Sequence, residues 1–319
     1  MTLASLDPAA LALVAAVDEC GSLSAAARAL GITQPAMTKQ LARLEVQLGL
    51  ALFTRGARGV LPTAYAQALL PRARIVRAQL AMAAQELDQL RGAREGRVTV
   101  ALSHLAVVVL LPRVLPAFRA AWPNIVLRFV PTTFPHRYAG LREGDPDMAL
   151  AQLPGDALTA EYSVRPLLQA DVAVVARPGH PLARAVSLAE LRGAEWVLPS
   201  LDSATTAALA AALQRARLPP PHCIVTSETL TGLETIVAAS DLLGAMPAEV
   251  AAARVRAGSG LVRLPLAPAP RGHALALVRW ADAPPTPAAQ ALAEMFVQAA
   301  REVAHGAPAR RAVGAAGRR

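Results

Sequence analysis

The chain opens with three short runs of apolar residues at helical spacing, and glycine follows each of them, at Gly21, Gly31 and Gly49. Pro8 to Glu19 reads as a helix with Asp7 as candidate N-cap and with Leu11, Val14 and Ala15 on one face. Gly21 stops it, because glycine takes the left-handed conformation without a steric penalty. Ser22 or Ser24 caps a second helix, Leu23 to Leu30, whose Leu23, Ala26, Ala27 and Leu30 fall at i, i+3, i+4 and i+7. The two alanines permit close approach of another helix. Gly31-Ile32 makes a tight turn. Thr33 then caps a third helix beginning Gln34-Pro35, where proline is tolerated because first-turn N–H groups have no intrahelical acceptor. Helix, glycine turn, helix is a helix-turn-helix pattern.

The third helix has two unlike faces. At about 100° per residue, Met37, Leu41, Leu44 and Leu48 form one narrow stripe, while Pro35, Ala36, Lys39 and Arg43 point the other way. A face of small residues carrying two cations one turn apart can enter a major groove, although charge alone is equally compatible with an ordinary solvated face. The distribution of charge sharpens this point. The net charge is +9, but the stretch from Arg28 to Arg77 holds eight bases against one acid, Glu45. Residues 97–270 are nearly balanced. Lys39 is the single lysine among 32 basic residues. A clustered positive charge points to a polyanion as partner. The arginine excess itself fits a GC-rich genome.

After Gly49 the chain reads Leu52-Phe53-Thr54-Arg55-Gly56-Ala57-Arg58-Gly59-Val60-Leu61-Pro62-Thr63. Two extended arms around Gly-Ala-Arg-Gly suit a β-ribbon wing, with Arg55 and Arg58 along phosphates or in the minor groove. With these residues in place, a family resemblance is plain. Ser-Leu-Ser-Ala-Ala-Ala-Arg-Ala-Leu, Thr-Gln-Pro-Ala-Met-Thr-Lys-Gln-Leu and Leu-Glu-x-x-Leu-Gly-x-x-Leu-Phe-x-Arg resemble the LysR-type transcriptional regulators, almost without a break from Ala9 to Leu70. The resemblance implies an α/β chain built from an N-terminal winged helix-turn-helix, a long linker helix and a two-lobed periplasmic-binding-protein-like α/β effector domain. It places DNA contacts on Thr33, Gln34, Pro35, Thr38, Lys39 and Arg43, with wing contacts from Arg55 and Arg58. Ser22 and Arg28 complete the DNA-facing set. One position departs from the pattern: where many members carry glycine after the wing, this chain has Tyr65 or Ala66.

Thr63 to about Leu90 reads as one long helix, with Pro71 as a kink. Ala73, Val76, Leu80, Ala83, Leu87 and Leu90 repeat at intervals of 3 and 4, which is a coiled-coil seam and suits a homodimer. A dimer also suits a DNA reader, because two recognition helices then meet successive grooves. The expected boundaries are residues 1–62 for the DNA-binding domain, 63–92 for the linker helix and 97–303 for the effector domain. Residues 304–319 would be a basic disordered tail.

Beyond the hinge Arg91–Gly96, strand and helix patterns alternate, as in a parallel α/β sheet. Strands are expected at 97–103, 124–130, 147–151, 172–176, 196–198, 224–227, 242–246 and 273–279, with helices at 105–121, 135–143, 204–216, 229–239 and 287–303. The resemblance implies one lobe from about 97–170 and 268–303, a second from about 171–267, and a cleft between them. Ligands of open α/β sheets sit beyond the carboxyl ends of strands, where helix N-termini offer free N–H groups. Hydroxyls gather at such ends here: Ser103 with His104, Thr132 and Thr133 with Phe134, Ser200 with Asp202 and Ser203, and Thr226 with Ser227. Together they suit a small organic anion, although each serine or threonine singly can also be a helix cap. His104 can be a hydrogen-bond donor or a core histidine.

Other classes are disfavoured. At 54% hydrophobic and 17% charged residues, the chain is not disordered throughout. No apolar run approaches the ~20 residues of a bilayer span, and no secretory signal is legible, so a cytoplasmic location is expected. The two cysteines, Cys20 and Cys223, make no disulfide framework, and the scattered histidines form no metal-ligand pair. No metal or cofactor is expected. No nucleophile–base pair announces an enzyme. The expected function is therefore a transcriptional regulator that binds double-stranded DNA as a homodimer or homotetramer, with a small-molecule effector between its lobes and RNA polymerase as a further partner. The alternative is a cytoplasmic small-solute-binding protein with an N-terminal interaction module.

Overall fold

The computed structural model describes residues 6–56, 59–92, 94–132, 140–152 and 160–306. The chain forms two compact units, residues 1–93 with 139–145, and residues 94–138 with 146–319.

The first unit begins with helices α1 (Pro8–Cys20), α2 (Leu23–Ala29) and α3 (Gln34–Leu48). Their caps follow from side chains that accept otherwise orphaned N–H groups. Asp7 accepts from Ala10 at 2.7 Å, Ser22 from Ala25 at 3.2 Å and Thr33 from Ala36 at 3.3 Å. Ser22, not Ser24, is thus the cap of α2. Gly21 and Gly49 close α1 and α3 at φ 61° and 67°. The wing is an antiparallel ribbon of β1 (Phe53–Gly56) and β2 (Gly59–Pro62). Helix α4 (Ala64–Leu90) is continuous across Pro71 and is capped by Thr63. Val17, Ala26, Ala27, Met37 and Leu41 form the core of the three-helix head. A neighbouring cluster joins Val14, Leu44 and Leu52 to Ala66 and Leu70 of α4. Of the two residues that stand where glycine was expected, Ala66 is fully buried and Tyr65 is exposed.

The second unit holds two five-stranded sheets. The first has the order β4-β3-β5-β12-β6, from β3 (Glu95–Leu102), β4 (Asn124–Pro131), β5 (Met148–Gln152), β6 (Tyr162–Leu168) and β12 (Leu275–Trp280). The second has the order β11-β7-β10-β8-β9, from β7 (Val172–Ala176), β8 (Glu195–Leu198), β9 (His222–Thr226), β10 (Leu243–Pro247) and β11 (Val262–Arg263). Helices α5 (Leu111–Ala121), α6 (Ala204–Arg215), α7 (Leu230–Ala238), α8 (Ala248–Arg256) and α9 (Pro287–Ala304) complete the unit. A π-helical turn, Ala106–Leu110, precedes α5 where a uniform helix was expected.

Both sheets are mixed, which corrects the all-parallel expectation. β3 runs parallel to β4 and β5, and β8 runs parallel to β9 and β10. β12 is antiparallel to β5 and β6, and β7 is antiparallel to β10 and β11. The reason is topological. A crossover helix returns the chain to the starting edge and preserves direction, whereas β7 and β12 are each reached by a direct crossing from the other sheet. At the crossing, the Val172 N–H donates to Pro270 O at 2.8 Å, and Gln169 Nε2 donates to Gly272 O at 2.6 Å.

One apolar cluster runs from Leu105, Leu110, Phe118, Met148 and Phe296 beside the first sheet to Val197, Leu233, Val237 and Val250 beside the second. A separate cluster around Trp196, Leu198, Leu209 and Leu243 fills the other side of the second sheet. Among the described residues no helix is long and apolar enough to cross a membrane, and no group of three or more His, Cys, Asp or Glu side chains could hold a metal ion.

Candidate nucleic-acid interface and effector cleft

Helix α3 separates its two faces as its periodicity implies. Met37 and Leu41 are buried against α1 and α2, and Leu44 is buried beside Leu52. Thr33, Gln34, Pro35, Thr38, Lys39 and Arg43 are all exposed. The Thr38 hydroxyl donates to Gln34 O at 3.0 Å, which ties it to the first turn. Arg28 is exposed on α2, whereas the half-buried Ser22 has its hydroxyl engaged as the α2 cap. Arg55 lies on β1 opposite Val60. Arg58 lies outside the described residues.

Three features of this head were not anticipated from the sequence. Glu45, the one acid in the basic stretch, is a structural acceptor. Its Oε1 takes the N–H groups of Leu52 at 2.7 Å and Phe53 at 3.1 Å, fixing where the wing begins. The wing is also docked from the other side, by the Val60 N–H on Gly21 O at 3.0 Å. Gly59 approaches Gly21 so closely that a Cβ there would lie 2.5 Å from the Gly21 carbonyl oxygen. In addition, Arg74 pairs with Asp18 at 2.8 Å, and Arg77 pairs with Glu19 through both of its terminal nitrogens. Those acids precede the counted basic stretch, so part of its excess is neutralised within the unit. Arg28, Lys39, Arg43 and Arg72 remain exposed, the first three on α2 and α3.

The heptad stripe of α4 divides into two parts. Ala73 is fully buried against Leu11 and Ala15 of α1, and Val76 packs on the same cluster. Leu80, Ala83, Leu87 and Leu90 remain exposed. The first two stripe positions therefore hold α4 to its own head, leaving four apolar positions uncovered.

In the second unit, Ser103 and Thr132 follow the adjacent parallel strands β3 and β4 at the same end, where Leu102 pairs with Pro131. The Ser103 hydroxyl accepts the Ala106 N–H at 3.4 Å, so it caps the following helical turn. In the other sheet Leu198 pairs with Thr226, and the Ser227 N–H donates to Leu198 O at 2.9 Å. Ser203 caps α6, accepting the Thr206 N–H at 3.1 Å and donating to Thr206 Oγ1 at 2.8 Å; Thr206 in turn donates to Ser200 O at 2.6 Å. The Ser227 hydroxyl donates to Thr229 O at 3.3 Å. Asp202 and Thr226 are exposed. Thr133 and Phe134 lie outside the described residues. The structure thus gathers Ser103 with Thr132 at one sheet end and Ser200, Ser203, Thr226 and Ser227 at the other. The hydroxyls of Ser103, Ser203 and Ser227 already have an intramolecular role.

His104 is the candidate that reaches across. Burial depresses its imidazole pKa below the ordinary value, and the carboxylate of Glu234 on α7 opposes that shift. Glu234 is itself buried, and Arg254 of α8 grips it at 2.5 and 2.8 Å. A residue following β3 in one sheet is thereby within electrostatic reach of an ion pair carried by the helices of the other. No motif in the sequence links Glu234 to Arg254, because the pair spans two helices separated by β10.

Comparison with known proteins agrees with this architecture. Residues 8–67 match the family described as bacterial regulatory helix-turn-helix protein, lysR family, and residues 91–301 match the LysR substrate binding domain. The chain belongs to the LysR family. Among curated LysR-family relatives, the HTH-type transcriptional regulator GalR of Pseudomonas putida is 30% identical over 90% of this chain and 72% of its own length. GbpR of Azospirillum brasilense is 29% identical over 72% of this chain and 68% of its own length. Solved structures of similar fold include full-length CbnR complexed with its target DNA, with TM-score 0.66 and 21% identity over 92% of this chain and all of that one. ArgP from Mycobacterium tuberculosis has TM-score 0.63 and 24% identity over 92% of this chain and 97% of that one. The protein is a LysR-family DNA-binding transcriptional regulator with a substrate-binding domain, and its relatives are regulators, not enzymes.

Proposed function

We propose that this LysR-family regulator acts in the cytoplasm and binds operator DNA through the outward face of α3, as a dimer joined along α4 and as a tetramer of two such dimers. The observation that carries this reading is the division of α3: a buried stripe of Met37, Leu41 and Leu44 opposite an exposed face with Thr33, Gln34, Thr38, Lys39 and Arg43. That face would enter the major groove, with Arg28 and the wing arginines Arg55 and Arg58 on flanking phosphates. The effector is a small organic anion held between the ends of the two sheets, near Ser103, His104 and Thr132 on one side and Ser200, Ser203 and Ser227 on the other. The anion would bind one arrangement of the two lobes better than the other and so shift their populations, altering how paired heads space or bend DNA.

A gel-shift series across salt, on the region upstream of the protein's own gene and on random DNA, tests the DNA-binding part. The wild type should bind the upstream region more tightly, and affinity should fall steeply as salt rises. Lys39→Ala should weaken the specific complex by about 1–3 kcal/mol with less effect on random DNA, as expected for a base contact. An equal loss on both DNAs would make Lys39 a phosphate contact only. No binding at low salt would reject the reading.

A further inference from the structure

We infer a second ligand site in the effector domain, separate from the proposed cleft, which takes one uncharged aromatic ring. A cavity of about 130 Å³ lies between the turn Leu191–Ala194, the start of β8, the end of α6 and the segment Leu218–His222. Apolar cavities of about 150 Å³ stay dry and take up benzene, so this space has room for a single six-membered ring.

The end of α6 builds one wall. The Leu218 N–H donates to Leu213 O and the Arg217 N–H to Gln214 O, both at 2.9 Å. That pattern reverses the chain and brings Leu218 back over the last turn of the helix. Glycine usually provides the turn, yet here Arg217 holds it at φ 57°, the one non-glycine residue with positive φ among the described residues. A costly backbone of this kind persists only where its surroundings fix it. Pro219, Pro220 and Pro221 follow, and their locked φ angles make the rest of the wall stiff. Trp196, Leu191 and Leu213 form the floor and are 2%, 3% and 5% exposed.

The lining selects the ligand. Arg192 and His222 are its only ionisable residues, and both are exposed, which puts them at the mouth. An ionised group carried inside would therefore lose its water without gaining a partner. Water itself finds few partners on this floor, whereas an apolar ring gains by leaving solvent. Trp196 and the three proline rings offer flat apolar contacts that suit an aromatic ring. The site also stands apart from the cleft. β8 and β9 pair from Glu195 with His222 to Leu198 with Thr226. The cavity lies at the first end of that pairing; Ser200 and Ser227 follow the second, about 10 Å away along the strand.

Titration calorimetry of the full chain with benzyl alcohol tests this inference, with sodium benzoate as the charged probe of similar shape. Benzyl alcohol should bind saturably and slow hydrogen exchange at Ala194, Trp196 and Leu218, and benzoate at the same concentration should leave those amides unchanged. Ala194→Phe, which fills the cavity from its rim, should weaken benzyl alcohol by about tenfold or more. Uptake that never saturates would overturn the proposal, as would protection confined to the segments around Ser103 and Ser227. Equal protection of Ala194, Trp196 and Leu218 by benzoate would reject the uncharged class, and unchanged affinity in Ala194→Phe would reject the location. The comparison of probes on the wild type needs no variant to fold.

Discussion

Glu45 shows how much one side chain can decide. Within a stretch of eight bases it is the single acid, and a reading by charge alone makes it an exception. In the fold it accepts the Leu52 and Phe53 amides and so fixes the start of the wing relative to α3. Two part-buried N–H groups lose their acceptor in Glu45→Ala, and each unsatisfied donor costs about 1–3 kcal/mol. We expect amide exchange at Leu52 and Phe53 to accelerate by tenfold or more, on the order set by that loss, while exchange in α9 is unchanged. Exchange at normal rates would mean that water replaces the carboxylate without cost. Lys39 is the opposite case. Its outward position was legible, because a period of about 3.6 residues assigns every side chain of a helix to a face.

At the scale of elements, the long helix α4 carries two tasks on one stripe. The 3-4 spacing from Ala73 to Leu90 reads as a single seam, yet Ala73 and Val76 are covered by α1. Leu80, Leu87 and Leu90 are 50%, 56% and 69% exposed and lie on one stripe of α4, and a run of exposed apolar residues on one face marks an interaction surface. Leu87→Glu should therefore separate the proposed dimer, seen by sedimentation as a shift to monomer at micromolar concentration, with the head still folded. A dimer of undiminished stability would place the interface elsewhere. Periodicity reported that the stripe is apolar; it could not report which partner covers each part. Strand β6 was illegible for a related reason. Its residues are largely exposed and include Pro166, both features of an edge strand, and the amphipathic alternation that marks a half-buried strand is missing. Helix α8 (Ala248–Arg256) was also missed, since its alanine-rich sequence has neither a side-chain cap nor a strong stripe.

Across the whole molecule, the substrate-binding domain brings His104, which follows β3 of one sheet, within electrostatic reach of Glu234 on a helix packed beside the other. Burial keeps the imidazole neutral more readily than in the unfolded chain. The unfolded chain therefore takes up more protons below its ordinary value of 6.5, and the stability contributed by neutral His104 is lost as pH falls through that value. His273 is shifted the same way, also by burial. Lowering the pH from about 7.5 to about 5.5 should depress the Tm of the wild type more than that of His104→Gln, measured by differential scanning calorimetry. Equal depression in both would assign the effect to His273.

The residues alone determined the class of this protein. Glycine stops, cap residues and helical spacing are local properties, and they specify the winged head, the long helix and the alternating α/β pattern without reference to distant partners. Only the tertiary structure decided the directions of β7 and β12, the pairing of Arg74 and Arg77 with α1, and the roles of the hydroxyls at the strand ends. Each of these depends on which groups from remote segments come within a few ångströms of one another. A serine at a strand end has the same local signature whether it caps a helix or awaits a ligand; the fold separates the two by supplying, or withholding, an N–H group to satisfy it.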